Sequence, residues 1–298
     1  SLVLFDAGDG QALYAAGDFS TAGAVAANDI AKWVGTRWSS LGATFVAPCC
    51  SVPFLTSLAV YHDGRGPALY VGGDFTSVSG VGANNIARWD GTSWSALASG
   101  TNGRVNALVV HDDGGGPALY AGGGFTAAGG VGADQIAKWD GSTWSALGSG
   151  MSNNVLALAS YDDGSGPALV AAGLFTTAGG VGANLIAKWN GSSWSALASG
   201  LSGGFNARVS ALAVLDDGGG EELFAGGDFT MSGGTTGMNR IARWDGSSWS
   251  SLGTGMNAPV LALTVHADGN GPALVAGGPF TTAGGVSANR IAKWNGSS

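Results

Sequence analysis

Apolar residues in this chain come in short runs, each cut off by Gly, Asp, Asn or Pro. The stretch around residues 105–147 shows the pattern. An apolar, β-branched run, Val105-Asn106-Ala107-Leu108-Val109-Val110, is followed by the turn Asp112-Asp113-Gly114-Gly115-Gly116-Pro117. A second run, Ala118-Leu119-Tyr120-Ala121-Gly122, leads into a loop from Thr126 to Asp134. Then come Gln135-Ile136-Ala137-Lys138-Trp139, the turn Asp140-Gly141-Ser142-Thr143, and Trp144-Ser145-Ala146-Leu147. Runs of this length bounded by turn residues predict four antiparallel strands, a to d, and no helical period competes with them. Strands b and c carry apolar residues at both parities: Leu119 with Ala121, Ile136 with Lys138, Ala137 with Trp139. A sheet apolar on both sides must be covered on both sides.

The same unit recurs along the whole chain. Its first Trp falls at Trp33, Trp89, Trp139, Trp189, Trp244 and Trp294, and a Phe recurs at Phe19, Phe75, Phe125, Phe175, Phe229 and Phe280. A second Trp follows at Trp38, Trp94, Trp144, Trp194 and Trp249, which accounts for all 11 Trp. Tryptophan therefore belongs to the repeat core and to no single special site. The two Trp flank a tight turn and should pair across the c–d hairpin on one face. Diglycines at Gly72-Gly73, Gly122-Gly123, Gly226-Gly227 and Gly277-Gly278 should admit close backbone approach. The repeats span approximately 1–48, 49–103, 104–153, 154–207, 208–258 and 259–298. Four strands in a unit of this length predict one all-β domain over 1–298, a six-bladed β-propeller with four antiparallel strands per blade. The last repeat reaches Ser298 where its second Trp would come, so the last blade is expected to lack its outer strand; the alternative is a fragment of a seven-bladed propeller.

Gly-Gly ending strand b with Trp on a later strand resembles kelch-type repeats. The run Gly-Gly-Asp-Phe-Thr, then Trp-Asp-Gly, then Trp-Ser-Ala-Leu is more similar to the kelch-like repeats of large bacterial surface proteins and of the fungal cortical polarity-marker family. The Tyr that kelch blades carry between Gly-Gly and Trp is missing here. The resemblance implies a propeller used as a binding scaffold.

Composition changes the picture in two ways. Gly numbers 55, yet 45% of residues are hydrophobic, so the glycines serve turns and blade contacts in a packed protein. Net charge is −8, which argues against nucleic-acid and anionic-membrane partners, and no apolar run is long enough for a membrane span. Cys49 and Cys50 are adjacent and are the only cysteines. They read as a vicinal disulfide, a link to another chain, or two reduced buried thiols; the first two suit an extracellular protein. Low Lys content and Ser/Thr/Gly/Asn-rich loops point the same way, to a secreted or cell-surface location.

No constellation announces a chemistry. Asp112, Asp113, Asp162 and Asp163 are weak Ca²⁺ candidates, but two carboxylates before Gly-rich turns fall short of the six to eight oxygens calcium takes, and Asp before Gly is first a turn residue. No other cofactor is indicated. A basic residue precedes the first Trp of every repeat, at Lys32, Arg88, Lys138, Lys188, Arg243 and Lys293, and stem packing or hydrogen bonding explains it. Asn28, Asn84, Asp134, Asn184, Asn239 and Asn289 close the b–c loops and should satisfy loop backbone. His62, His111 and His266 come from different repeats without metal spacing.

The expected function is a non-catalytic extracellular binding scaffold with a protein or glycan ligand, not an enzyme. Its contact face would carry the b–c loops and the two long d–a connections, 42–55 and 200–209. Phe54, Phe205 and Arg208 break the repeat there and are the candidate contacts, because interfaces favour aromatic and Arg residues. The alternative is a multivalent carbohydrate-binding lectin, which would need exposed Trp. A metal-dependent propeller hydrolase stands behind both, since the strand a starts read Val, Leu and Thr rather than convergent acids or His. The incomplete sixth blade is expected to take a strand from the rest of the chain or from another chain.

Overall fold

The computed structural model describes residues 1–298 except 49–50, 205, 217–218, 268, 270, 295 and 297–298. The cysteine pair Cys49 and Cys50 and the candidate contact Phe205 lie outside the described residues. Every regular element is a strand, and no helix occurs among the described residues. Six meander sheets follow one another with strand order a-b-c-d; among the described residues the sixth has a, b and c. This is the six-bladed β-propeller pattern, with the last blade lacking its outer strand. In blade four the strands are Val155–Asp162, Pro167–Gly173, Ile186–Trp189 and Trp194–Ala196. The chain divides into two compact units, residues 1–111 with 116–150, and residues 112–115 with 151–298.

Registers follow the sequence pattern closely. In blade three Leu119 lies opposite Trp139 and Ala121 opposite Ala137, while Trp139 lies opposite Trp144 and Ala137 opposite Ala146. The indole centroids of such c–d pairs are 5.3 Å apart in blade three and 5.1 Å apart in blade two.

The core lies between blades. In the first unit Tyr70, Ile86 and Leu97 of blade two pack with Val105, Leu119, Phe125, Trp139 and Trp144 of blade three. In the second unit Tyr161, Ile186 and Leu197 of blade four pack with Val209, Leu223, Phe229, Trp244 and Trp249 of blade five. Within each unit a sheet thus sends its Leu/Trp/Phe side to the preceding blade and its Ile side to the following one. The diglycines make the approach close. A Cβ on Gly72 would come within 2.7 Å of Val105 Cγ1, and one on Gly226 within 2.5 Å of Val260 Cγ1. Apolar positions of the first and last blades are more exposed. Ile86 and Ile241 are buried, but their counterpart Ile291 is 64% exposed, and Leu2 of the first blade is 66% exposed. In blade one Phe19, Trp33 and Trp38 are only half-buried, while Phe75, Phe125, Phe175, Phe229 and Phe280 of the later blades are fully inside.

One element goes beyond the sequence reading. The b–c loops, expected to be irregular, are minimal hairpins, as in Ala127–Ala128 with Val131–Gly132. Gly129 and Gly130 take φ of 59° and 83°, the two left-handed positions of the hairpin turn that matches strand twist. Two-residue strands are too short to leave an alternation signal. The residue before strand c is also left-handed in every blade, at Asp29, Asn85, Gln135, Leu185, Arg240 and Arg290. Its N–H donates to the carbonyl of the repeat Phe, as from Leu185 to Phe175 at 2.8 Å, so the hairpin is clamped at its base.

The hairpin also holds the outer strand. A Cβ on Gly129 would lie 2.5 Å from Trp144 Cδ1, and one on Gly179 2.8 Å from Trp194 Cδ1. The indole Nε1 of Trp144 then donates to the Leu97 carbonyl of the preceding blade at 3.1 Å, and that of Trp249 to Leu197 at 3.1 Å. The notch yields a direct comparison. Gly129→Ala and Gly130→Ala both place alanine at positive φ, but nothing lies within 4 Å of a Cβ on Gly130. Denaturant melts should therefore show Gly129→Ala less stable than Gly130→Ala by about 1–3 kcal/mol, the usual overpacking range. Equal loss in both would show that the notch is not tight.

Candidate binding face

The b–c hairpins and d–a connections share one end of each sheet. They are stitched there by side chains the repeat supplies. Asn84, Asn184 and Asn239 donate their amides to the Ser99, Ser199 and Thr254 carbonyls, as expected for the residues closing these loops. Asn102 Oδ1 accepts from the Thr126 and Ala127 amides of the next blade, and Asn257 does the same for Thr281 and Thr282. In the first long connection, Phe45–Val46 pairs with Ser77–Val78 and adds a third strand to the blade-two hairpin. The face is therefore built of clamped turns, with the exposed apolar side chains Val46, Val52, Val131 and Val181 on its loops.

Strand a begins at this end. Its first turn is bulged between Leu55 and Ser57, between Val155 and Ala157, and between Val209 and Ala211. In blade two the bulged Thr56 satisfies the carbonyls this leaves: its Oγ1 donates within 2.6 Å of the Val105 oxygen and 3.0 Å of the Gly72 oxygen. Ser57 Oγ accepts from the Leu108 amide at 3.0 Å, fixing strand a of blade two against strand a of blade three.

On this fixed base sits Phe54, 37% exposed. The guanidinium of Arg104 lies over its ring, 4.4 Å from the centroid. Arg104 occupies in blade three the place Phe54 holds in blade two, immediately before the strand a core residue Val105 or Leu55. Its Nε is buried and has no hydrogen-bond partner among the described residues. Arg104 did not stand out in the sequence reading; comparing the residue before each strand a core position (Phe54, Arg104, Asn154, Arg208) was the signal that finds it. Arg208, at the same place in blade five, is half-buried, and its carbonyl occupies the space a Cβ on Gly227 would need. It belongs to the second unit, where Asp228 faces it across strands a and b and has Arg240 Nε at 3.7 Å.

The opposite end carries the a–b and c–d turns. Asp162 Oδ1 accepts from the Gly164 and Gly166 amides at 2.8 and 3.0 Å, and Asp112 Oδ1 from Gly114 at 2.9 Å. Asp163 takes the Lys188 ammonium at 2.5 Å; burial works against its charge, but Lys188 and Ser165 still hold its carboxyl below the usual value. Asp113 Oδ1 accepts from Gly115. These four carboxylates close turns, and no group of three or more His, Cys, Asp or Glu converges among the described residues. The basic residues before the first Trp reach the same turns from strand c. Lys32 pairs with Asp9 at 2.6 Å, Arg88 with Asp63 at 3.0 Å and Arg243 with Glu222 at 3.2 Å. The Trp do not form one exposed platform per blade: both indoles are buried in blades three, four and five, and Trp89 is half-buried beside Tyr14 and Lys32 in a cavity of about 490 Å³.

The chain belongs to the family described as the Rax2 C-terminal beta propeller domain, whose model matches residues 90–264, more than half of it. A beta-propeller domain of unknown function, DUF5122, matches residues 69–89. Both descriptions are of β-propeller domains. Among solved structures, the chain is similar to the extracellular domain of a protein described as a one-component system, BT4673 of B. thetaiotaomicron. The identity is 10%, the TM-score 0.55, and the match covers 93% of this chain and 30% of that one, so the shared feature is the fold. No curated protein matches the chain.

Two measurements test this electrostatic layout. The Arg88–Asp63 pair is buried, with side-chain exposures of 9% and 1%, and Tyr70 also donates to Asp63 at 3.0 Å. Asp63→Ala should lose about 3–5 kcal/mol in denaturant melts, because it removes the close buried partner of the Arg88 guanidinium and leaves only Asp90 at 3.8 Å. Asp9→Ala, at an exposed partner of Lys32, should leave the melting curve unchanged. Equal effects would contradict the burial difference. The second concerns acid. Backbone N–H groups of Thr143 and Ser142 hold the Asp140 carboxyl well below the usual range, and Ser93 with Thr92 does the same for Asp90. A depressed folded pKa gives stability that is complete above the unfolded value near about pH 4 and fades as pH falls toward the folded value. Blade four already uses Asn190 in this turn with the same acceptor geometry. Asp140→Asn should therefore keep the fold at neutral pH and flatten the loss of melting temperature below about pH 4. An unchanged acid limb would contradict the assignment.

Proposed function

We propose that this domain is a non-catalytic, extracellular binding scaffold whose contact surface is the b–c and d–a loop end of the blades, with Phe54 and Arg104 as its anchor in the first unit. The observation that supports this reading is the stacked Phe54–Arg104 pair: a partly exposed ring with an Arg guanidinium above it, 4.4 Å from the centroid. Aromatic and Arg side chains held rigidly beside each other are what protein interfaces use as energetic centres. An Arg guanidinium held over an aromatic ring favours a carboxylate or a backbone carbonyl on the partner. The clamped loops keep the ordering cost of binding low. The kelch-like assignment, the surface location and the role of Arg208 in the second unit belong to the same proposal.

The purified domain should be tested on parallel arrays of glycans and of extracellular protein domains. The reading expects protein hits that weaken at least about tenfold on Phe54→Ala and on Arg104→Ala. Arg65→Ala, at the opposite turn end, should leave them unchanged. Glycan hits lost on changing residues repeated in each blade, and indifferent to Phe54 and Arg104, would overturn the reading in favour of a multivalent lectin.

A further inference from the structure

At the turn end of the first unit, the complete four-stranded sheets of blades one and two enclose a cavity of about 490 Å³. Its lining includes the rings of Tyr14 and Trp89 and the polar groups of Asp9, Lys32, Ser39 and Ser40. The cavity comes from an exchange in the a–b turn of blade one. Asp6 Oδ1 accepts from the Gly8 and Gly10 amides at 2.8 and 3.0 Å, as Asp162 does from Gly164 and Gly166, so the turns share one frame. The next residue is Asp63 in blade two, Asp113 in blade three and Asp163 in blade four, but Ala7 in blade one. Blade one carries its carboxylate two residues later, at Asp9, and Lys32 donates to both of its oxygens at 2.6 Å. Two differences from blade two follow. Tyr70 donates to Asp63, whereas Tyr14, at the same place, has Ala7 there. Arg65 reaches within 3.5 Å of the Gly141 carbonyl in the blade-three turn, whereas Asp9, its counterpart, is drawn to Lys32. Trp139 of blade three is accordingly 5% exposed, while Trp89 of blade two is half-buried and lines the cavity.

The groups around the cavity restrict what it can hold. Asp9, with a side chain 66% exposed, offers acceptors, and Lys32 offers donors. Ser40 Oγ accepts from the Gly42 amide at 3.0 Å and keeps its own proton to donate. An anion drawn to Lys32 meets Asp9, and a cation drawn to Asp9 meets Lys32, so net charge on a ligand gains little here. A hydroxyl suits both groups, because it donates to a carboxylate and accepts from an ammonium. The indole requires an apolar patch, and its negative face favours C–H bonds polarised by neighbouring oxygens. A ring with adjacent hydroxyls on its edge and C–H groups on its face meets both demands, and the volume is that of a small-molecule site. The frame is fixed beforehand: a Cβ on Gly91 would lie 2.7 Å from the Ala7 oxygen, so the c–d turn of blade two rests directly on the a–b turn of blade one.

We infer that this cavity binds one neutral pyranose ring, which stacks on Trp89 and sets adjacent hydroxyls on Asp9 and Lys32. Stacking supplies the apolar contact, and the charge-assisted hydrogen bonds select the hydroxyl arrangement. The site is single: Ala at this turn position occurs in blade one alone, and the corresponding residue is Asp63, Asp113, Asp163, Asp217 or Asp268 in the other repeats. It is independent of the loop-face reading, since it lies at the opposite end of the sheets.

The test is NMR on the whole 298-residue chain, following the indole N–H signals of its 11 Trp, with Trp89 assigned by the signal missing from Trp89→Phe. Glucose, galactose, mannose and their methyl glycosides are titrated; the glycosides report whether the ring is taken free or as the end of a glycan. One or more of these sugars should shift the Trp89 signal saturably, with a dissociation constant of about 0.1–10 mM for a ligand of this size. Asp9→Ala should weaken the response at least about tenfold while the melting curve stays unchanged. Ala7→Asp should weaken it too, because it offers Lys32 and Tyr14 the carboxylate that their blade-two counterparts have. Phe54→Ala and Arg104→Ala should leave it as it is. No shift with any of the sugars up to about 50 mM would overturn the inference. So would an undiminished response in Asp9→Ala, equal shifts spread over several indoles, or a saturable shift with zwitterionic amino acids and none with the sugars.

Discussion

One contact ties several levels of this fold together: an outer-strand indole packed against its own hairpin glycine in blades three and four, and bonded to the preceding blade in blades three and five. In blade three that indole is Trp144, against Gly129 on one side and bonded to the Leu97 carbonyl on the other. The contact joins three levels of structure at once. It fastens strand d to the sheet, fastens the hairpin to strand d, and fastens one blade to the next. A tryptophan removes on the order of 150–250 Å² from water, and its N–H is satisfied rather than stranded, so burial carries no polar penalty. A single blade cannot achieve this, because its two apolar faces need two partners. Stability is therefore a property of neighbouring pairs, as in other repeat proteins.

That dependence explains why identical sequence positions differ along the chain. Ile86 and Ile241 have a following blade and are buried; Ile291 has the same neighbours in sequence and is exposed. It also explains where variation is tolerated. The strand a starts and long d–a connections lie outside the wedge, so Phe54, Arg104 and Arg208 can differ from one blade to the next without disturbing the core. A rigid base with variable residues at one end is the arrangement in which loops acquire binding roles. The turn end shows the converse. Its carboxylates are committed, Asp63 to Arg88 and Tyr70, Asp163 to Lys188, Asp162 to its own turn amides.

Much of this was legible in the sequence, for a physical reason. Trp, Phe and diglycine are large or small enough to leave an unmistakable period, and turn residues mark the strand ends, so the blades, the c–d indole pairs and the missing outer strand of blade six could be read directly. The hairpins inside the b–c loops could not, because two-residue strands carry no alternation. Nor could the left-handed residue before strand c: it is Asp, Asn, Gln, Leu or Arg, and its conformation is imposed by the backbone clamp to the repeat Phe rather than by its own preference. Phe54 was visible as a break in the repeat. Its partner Arg104 was not, because the contact joins adjacent blades and is seen only once strand a of one lies beside strand a of the next.

Native-state hydrogen exchange, resolved by strand, tests the pairwise account most directly. Blades two and five each have a neighbour on both sides within their own compact unit; within its own unit blade six has one. The account predicts slow exchange, close to the global unfolding limit, in Ile86–Trp89 and Ile241–Trp244, and exchange at least about tenfold faster in Ile291–Trp294. Equal protection in the three strands would contradict it, because each blade would then hold its sheet without help from the next.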